Sequence, residues 1–166
     1  QEQTAAVLKP DPEDRNVSPH EMADYVNNET GQSALSRTNG DLDLLRRLIS
    51  SGYPVVVELG LDPTGEYRWM GWYGHYLLVV AYDDQSEQFW VYDSWFGTSL
   101  VPGENANADG RQISYDELDN YWRQFSRNYI VLFDPSLRAD VNEIIGPAMN
   151  DETMWRAALS RAQDEI

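Results

Sequence analysis

This chain of 166 residues has only two histidines, and they stand in different surroundings. His20 falls in the first turn of a predicted helix, where a positive imidazolium would oppose the helix dipole. It reads as a solvated helix-start residue. His75 instead opens an apolar strand, directly after Gly74, within the aromatic frame Trp69-Met70-Gly71-Trp72-Tyr73-Gly74-His75-Tyr76. A hairpin folded about Asp83–Gln88 carries His75 to within a residue or so of a direct cross-strand position with Asp93. Directly opposed residues share a face, with Cβ atoms ~4.5–5.5 Å apart. Asp93 can then hold one imidazole nitrogen while the other faces a cleft, which is the base-and-orienter half of a nucleophilic triad. A structural His–Asp pair that merely closes a strand end satisfies the same spacing.

A triad needs a nucleophile, and the chain contains no cysteine. None of its serines sits in a Gly-x-Ser-x-Gly elbow, and Ser94 follows Asp93 too closely in sequence to serve as the nucleophile. One usable histidine with scattered acids gives no zinc spacing, and there is no EF-hand loop and no glycine-rich phosphate loop, so no metal or cofactor is expected. Asp83-Asp84 is turn chemistry. Glu58, at a strand end, and Asp93 are the two acids that could serve a glycan-cleaving carboxylate pair, with Trp and Tyr to stack sugars.

The balance of 28 acidic against 12 basic residues gives a formal charge of −16. Phosphate neutralisation needs clustered Lys and Arg, so a nucleic-acid partner is excluded, and anionic lipid is disfavoured for the same reason. The longest apolar run, Tyr76–Tyr82, is far short of the ~20 residues of a membrane span. At 42% hydrophobic and 12% aromatic the chain can build a sizeable core.

The elements that must position these residues follow from patterning. Gln1–Val17 reads as extended coil. Ser18-Pro19-His20-Glu21 is a capping box that opens a helix to about Asn28, burying Met22 and Val26 or Tyr25. Asp41–Ser51 is a second helix with Leu42, Leu45, Leu48 and Ile49 in one stripe, Arg46 and Arg47 toward water, and Gly52 as the stop. Val55–Leu59 is a buried strand, and the stretch Gly60–Gly74 is a loop too apolar for a mere surface connection. The hairpin pairs His75–Tyr82 with Gln88–Asp93. Gly97–Gly110 is a polar loop, and a second box at Ser114–Glu117 opens a helix with Leu118, Tyr121, Trp122 and Phe125 inward. Tyr129–Phe133 is the last strand. Met154, Trp155, Ala158, Leu159 and Ala162 mark a tail helix outside the sheet. Helices and strands without βαβ alternation give an α+β class.

Three stretches together resemble the bacteriocin-processing-like cysteine peptidases, family thirty-nine, of papain-like fold. Thr4–Pro10 with Asn16–Met22 looks like the segment after the nucleophile helix of bacterial extracytoplasmic members. Gly40–Leu45 followed by Gly52–Val57 is similar to their helix-to-strand passage, and Gly74–Val80 with Tyr92-Asp93-Ser94 to their histidine and acid motifs. The resemblance covers residues 4 to about 134. It implies an antiparallel sheet with flanking helices, His75 as general base, Asp93 as orienting acid, and Trp69, Trp72 and Tyr73 as candidates for a cleft wall. It also implies a peptide or protein substrate and an extracytoplasmic or cell-surface location.

The family's nucleophilic cysteine and oxyanion-hole glutamine belong to a segment that would precede Gln1, and nothing here matches them. Residues 1–134 are therefore expected to form a peptidase-like domain incomplete at its front, with 135–166 a linker and helical tail that could begin a helical-repeat region. Peptide-bond hydrolysis by a Cys-His-Asp triad is the implied reaction, inactive in this chain for want of the thiol. The alternatives are a non-catalytic peptide- or protein-binding module on the same fold and, third, a glycan-binding or glycan-cleaving domain.

Overall fold

The computed structural model of the protein describes residues 2–11, 13, 16–62, 65–94 and 110–165. Helix α1 spans Glu2–Leu8, where coil is expected. Thr4-Ala5-Ala6-Val7-Leu8 is a run that tolerates helix well, and the prolines that suggest coil begin only at Pro10, after the helix has ended. The Thr4 and Tyr25 hydroxyls, 3.1 Å apart, tie α1 to helix α2, Pro19–Glu29. Both halves of the Ser18/Glu21 capping box form at the start of α2. Ala23 is its most buried residue, with Met22 and Val26 packed beside it.

Helix α3, Leu42–Ser50, starts on Asp41, whose carboxylate accepts from the Leu44 amide at 2.7 Å. Leu44, Leu45 and Leu48 form its buried stripe. Its arginines are not simply solvated as expected: Arg46 pairs with Asp84 at 2.8 Å and Arg47 donates to the Ile144 carbonyl at 2.6 Å. Helix α4 is Tyr115–Trp122, with Leu118 and Trp122 fully buried.

Among the described residues six strands form one antiparallel sheet. They are β1 Ser33–Arg37, β2 Val55–Leu61, β3 Tyr73–Asp83, β4 Gln88–Asp93, β5 Arg111–Ser114 and β6 Tyr129–Phe133, in spatial order β1-β6-β2-β3-β4-β5. The short edge strands β1 and β5 carry little periodicity and escape sequence reading. The stretch expected to be loop after Leu59 extends β2 by two residues and then forms a 3₁₀ turn at Gly65–Met70. Of the expected loop Gly97–Gly110, residues 97–109 lie outside the described residues.

One sheet face carries the main core. Val55, Val57, Leu59, Leu77, Val79, Phe89, Val91 and Tyr129 pack there against Leu45 and Leu48 of α3 and Leu118 and Trp122 of α4. Alternate residues of a strand point to opposite faces, so the odd-numbered positions of β2 build this core while Val56 and Glu58 face the other way. A smaller cluster of Ala23, Ala34 and Ile130 seats α2 on that second face.

After Asp134 the chain is joined to the same body. Helix α5, Arg138–Ile145, buries Val141 and Ile145 in the main core. Helix α6, Asp151–Asp164, buries Met154 and is clamped by Arg161 donating to the Gly40 carbonyl at 2.8 Å and by Arg37 paired with Asp151 at 2.9 Å. No described helix is long and apolar enough to cross a membrane.

Candidate functional site

The ladder of β3 and β4 decides which side chains share a face. From the turn it pairs Asp83 with Gln88, Tyr82 with Phe89 and Ala81 with Trp90. Continued unbroken, that register would set Leu78 opposite Asp93, and Asp93 would then point away from His75. The register instead shifts between Val79 and Ala81: Val79 pairs with Val91 and Leu77 with Asp93. A bulge adds one unmatched residue, and a one-residue slip moves every later side chain to the other face. His75, two residues beyond Leu77, therefore lies on the same face as Asp93 in a diagonal position. The hairpin predicts a position within about one residue of direct opposition; Asp93 faces Leu77, two residues from His75, and the bulge brings it one residue nearer than the unbroken register would.

The diagonal is short enough for contact. His75 Nε2 lies 2.7 Å from Asp93 Oδ1, the His75 side chain is 13% exposed, and the Asp93 side chain is 0% exposed. A carboxylate is an acceptor, so the imidazole proton sits on Nε2 and Nδ1 is the basic nitrogen. Nδ1 makes no hydrogen bond among the described residues. Arg111, on β5, donates from Nε to the second Asp93 oxygen at 2.9 Å. Register explains that contact as well: Arg111 is directly opposite Val91, so it shares the face of Asp93. Sequence reading missed Arg111 because β5 has only four residues and no clear alternation.

His75 lines a cleft of about 750 Å³ together with Asn16, Ser18, Trp72, Ser94 and Phe125. Trp72 stacks on Phe125 at 5.5 Å and donates to Gln124 at 2.7 Å, which fixes its ring at the cleft edge. Tyr73 meets the His75 ring edge-on at 6.2 Å. Burial and the Asp93 charge raise the Tyr73 hydroxyl above its ordinary range. Trp69 stands in solvent, 79% exposed, and is not among the cleft residues. His20 is exposed at the start of α2.

Glu58 reaches the same cleft from the opposite sheet face. It pairs with Tyr76 across β2 and β3, so it cannot share a face with His75 or Asp93. Asn128 Nδ2 donates to Glu58 Oε2 at 2.5 Å. Burial nevertheless holds this carboxyl above the usual carboxylate range, with the Asn128 and Tyr76 contacts pulling in the other direction. The Tyr76 hydroxyl donates to the Val17 carbonyl at 2.8 Å, laying the segment before α2 along the cleft. Gly74 is needed beside them: a Cβ there would lie 2.9 Å from the Phe125 ring and 3.3 Å from Glu58 Oε1. Because Asp93 and Glu58 face opposite ways, they do not form the convergent acid pair of a glycan-cleaving site. No group of three or more His, Asp or Glu among the described residues is arranged to hold a metal ion.

Comparison with known proteins gives the family of the chain. The profile of the Peptidase_C39 like family matches residues 14–130, which is more than half of the chain and includes His75, Asp93 and Arg111. A crystal structure of a candidate C39-like peptidase from Bacillus anthracis matches with 17% identity and a TM-score of 0.40, over 60% of this chain and 50% of that one. This chain thus spans about half the length of that protein. No curated protein matches. From the profile match over residues 14–130, the chain belongs to the Peptidase_C39 like family.

Proposed function

We propose that this is a peptidase-like domain in which His75 is the general base and Asp93 the acid that orients it, serving peptide-bond hydrolysis by a thiol that is not among these 166 residues. The observation that carries the reading is the 2.7 Å contact between His75 Nε2 and Asp93 Oδ1 at a cleft, in a chain of this family. With Nε2 committed to the carboxylate, Nδ1 is the atom that takes a proton from an attacking thiol and later returns it to the leaving amine. Trp72 and the Asn16–Ser18 segment are the surfaces along which an extended peptide would lie.

The absence of cysteine specifically favours a second reading, in which the cleft binds a peptide without cutting it. Two measurements separate them. The 166-residue chain, incubated with a peptide library, should show no turnover that a thiol alkylating agent abolishes; such turnover would end the first reading in its present form. The gene is then expressed with its upstream codons included. If these encode a cysteine-bearing helix, the longer protein should cleave peptides, and His75→Ala should lower kcat/KM by roughly 10³-fold or more. If they encode none, peptide addition should shift the NMR signals of His75 and Trp72 without producing cleavage, and the binding module stands.

A further inference from the structure

The contact of Arg111 with Asp93 assigns a role to a residue far from both in sequence. Three neighbouring strands each send one side chain onto the same sheet face: His75 from β3, Asp93 from β4 and Arg111 from β5. Oδ1 of Asp93 meets His75 Nε2 at 2.7 Å, and Oδ2 accepts from Arg111 Nε at 2.9 Å. The Asp93 side chain has no exposure to water, so its charge and its orientation depend on protein partners. A carboxylate held by one oxygen alone rotates about its Cβ–Cγ bond and can present either oxygen at varied angles. Held through Oδ2 by a guanidinium, it offers Oδ1 in one direction. The imidazole answers by carrying its proton on Nε2.

We infer that Arg111 is a positioning residue: it orients Asp93 so that His75 is locked in the tautomer that leaves Nδ1 basic. The inference rests on the reading of His75 and Asp93 as a base-orienter pair, but its test does not require activity. The backbone supports the assignment. Gly110, immediately before Arg111, has φ +81°, and a Cβ there would meet the Val91 carbonyl oxygen at 2.7 Å. The chain therefore enters β5 in a conformation that brings Arg111 directly opposite Val91, within diagonal reach of Asp93.

The protein has two histidines, so ¹⁵N NMR of the imidazole rings gives two sets of signals, with exposed His20 as internal reference. In the wild type His75 should show one protonated nitrogen, Nε2, and one bare nitrogen, Nδ1. Arg111→Met should move both nitrogens toward the averaged shifts of a ring exchanging between tautomers, and Arg111→Lys should restore most of the wild-type separation. Wild-type nitrogen shifts in a folded Arg111→Met variant would overturn the inference, as would a Lys variant identical to the Met one. If Arg111→Met fails to fold, Arg111→Lys and Arg111→Gln decide the matter. A fixed tautomer with Lys and an averaged one with Gln supports the role, and identical spectra overturn it. Loss of the proposed peptidase reading would leave these spectra unchanged, so the two failures are distinguishable.

Discussion

Glu58 sits in the wall of the cleft with its carboxyl raised by burial and only partly compensated by Asn128 and Tyr76. A carboxyl whose affinity for protons is higher in the folded state than in the unfolded one contributes stability below its unfolded value, near ~4.3. That contribution is lost as pH rises through the folded value. Above that folded value the protein holds a carboxylate in a place that prefers the neutral acid. Glu58→Gln keeps an acceptor for Asn128 and removes the titration. The variant should gain stability relative to wild type as pH rises from about 4 to 7, seen as a growing difference in urea midpoints. A constant difference across that range would show that burial does not govern Glu58. His75 and Asp93, by contrast, were legible as a pair at this scale, because a Gly-His strand opening and a hairpin ending in Asp-Ser are local signals.

At the level of elements, the deciding features are the bulge in β3 and the entry to β5. The alternation His75, Leu77, Val79 identifies one face, and Phe89, Val91, Asp93 identifies another. Nothing in either pattern says that the two faces coincide. The match comes from inserting one residue between Val79 and Ala81, a choice made by packing: with it, Val79 and Val91 meet in the core, and so do Tyr82 and Phe89. The β5 entry offers a direct test. Gly110→Ala forces a side chain into a left-handed backbone and against the Val91 carbonyl, at a cost of about 1–3 kcal/mol. Amide exchange should show β5 losing protection while β2 and β6 keep theirs. Equal loss across the sheet would mean that β5 is not a separable element. Helices behaved differently: Ser18, Asp41 and Ser114 cap α2, α3 and α4 where local hydrogen bonding dictates, so their starts could be read directly.

At the scale of the molecule, the acid excess meets a buried cation. Arg127, 5% exposed, lies just before β6 and pairs with Asp119 of α4 at 2.6 Å and with Glu165 at the end of α6 at 2.9 Å. Hydrogen bonds from Arg127 hold both carboxyls below their usual range. A lowered carboxyl contributes stability above its unfolded value, near ~4, and loses it as pH falls through the folded value. Below about pH 4 the clamp on α6 should therefore weaken before the sheet does. Acid titration followed by NMR should show α6 amide signals moving to unfolded positions first. Simultaneous loss of α6 and sheet signals would show that α6 is held by Met154 and its neighbours rather than by Arg127.

The sequence by itself determined the α+β class, the capped helices, the central strands, the hairpin and the identity of the His75–Asp93 pair, because each rests on interactions between residues near in sequence or on simple alternation. It also shows that no thiol is among these 166 residues. The tertiary structure alone decided that α1 is helical, that α5 belongs to the main core, that β1 and β5 flank the sheet, and that Arg111 reaches Asp93. It likewise decided that Glu58 and Asp93 point to opposite faces. Those outcomes depend on register and on contacts between distant segments. A register shift of one residue reverses every side chain beyond it while leaving the sequence pattern unchanged.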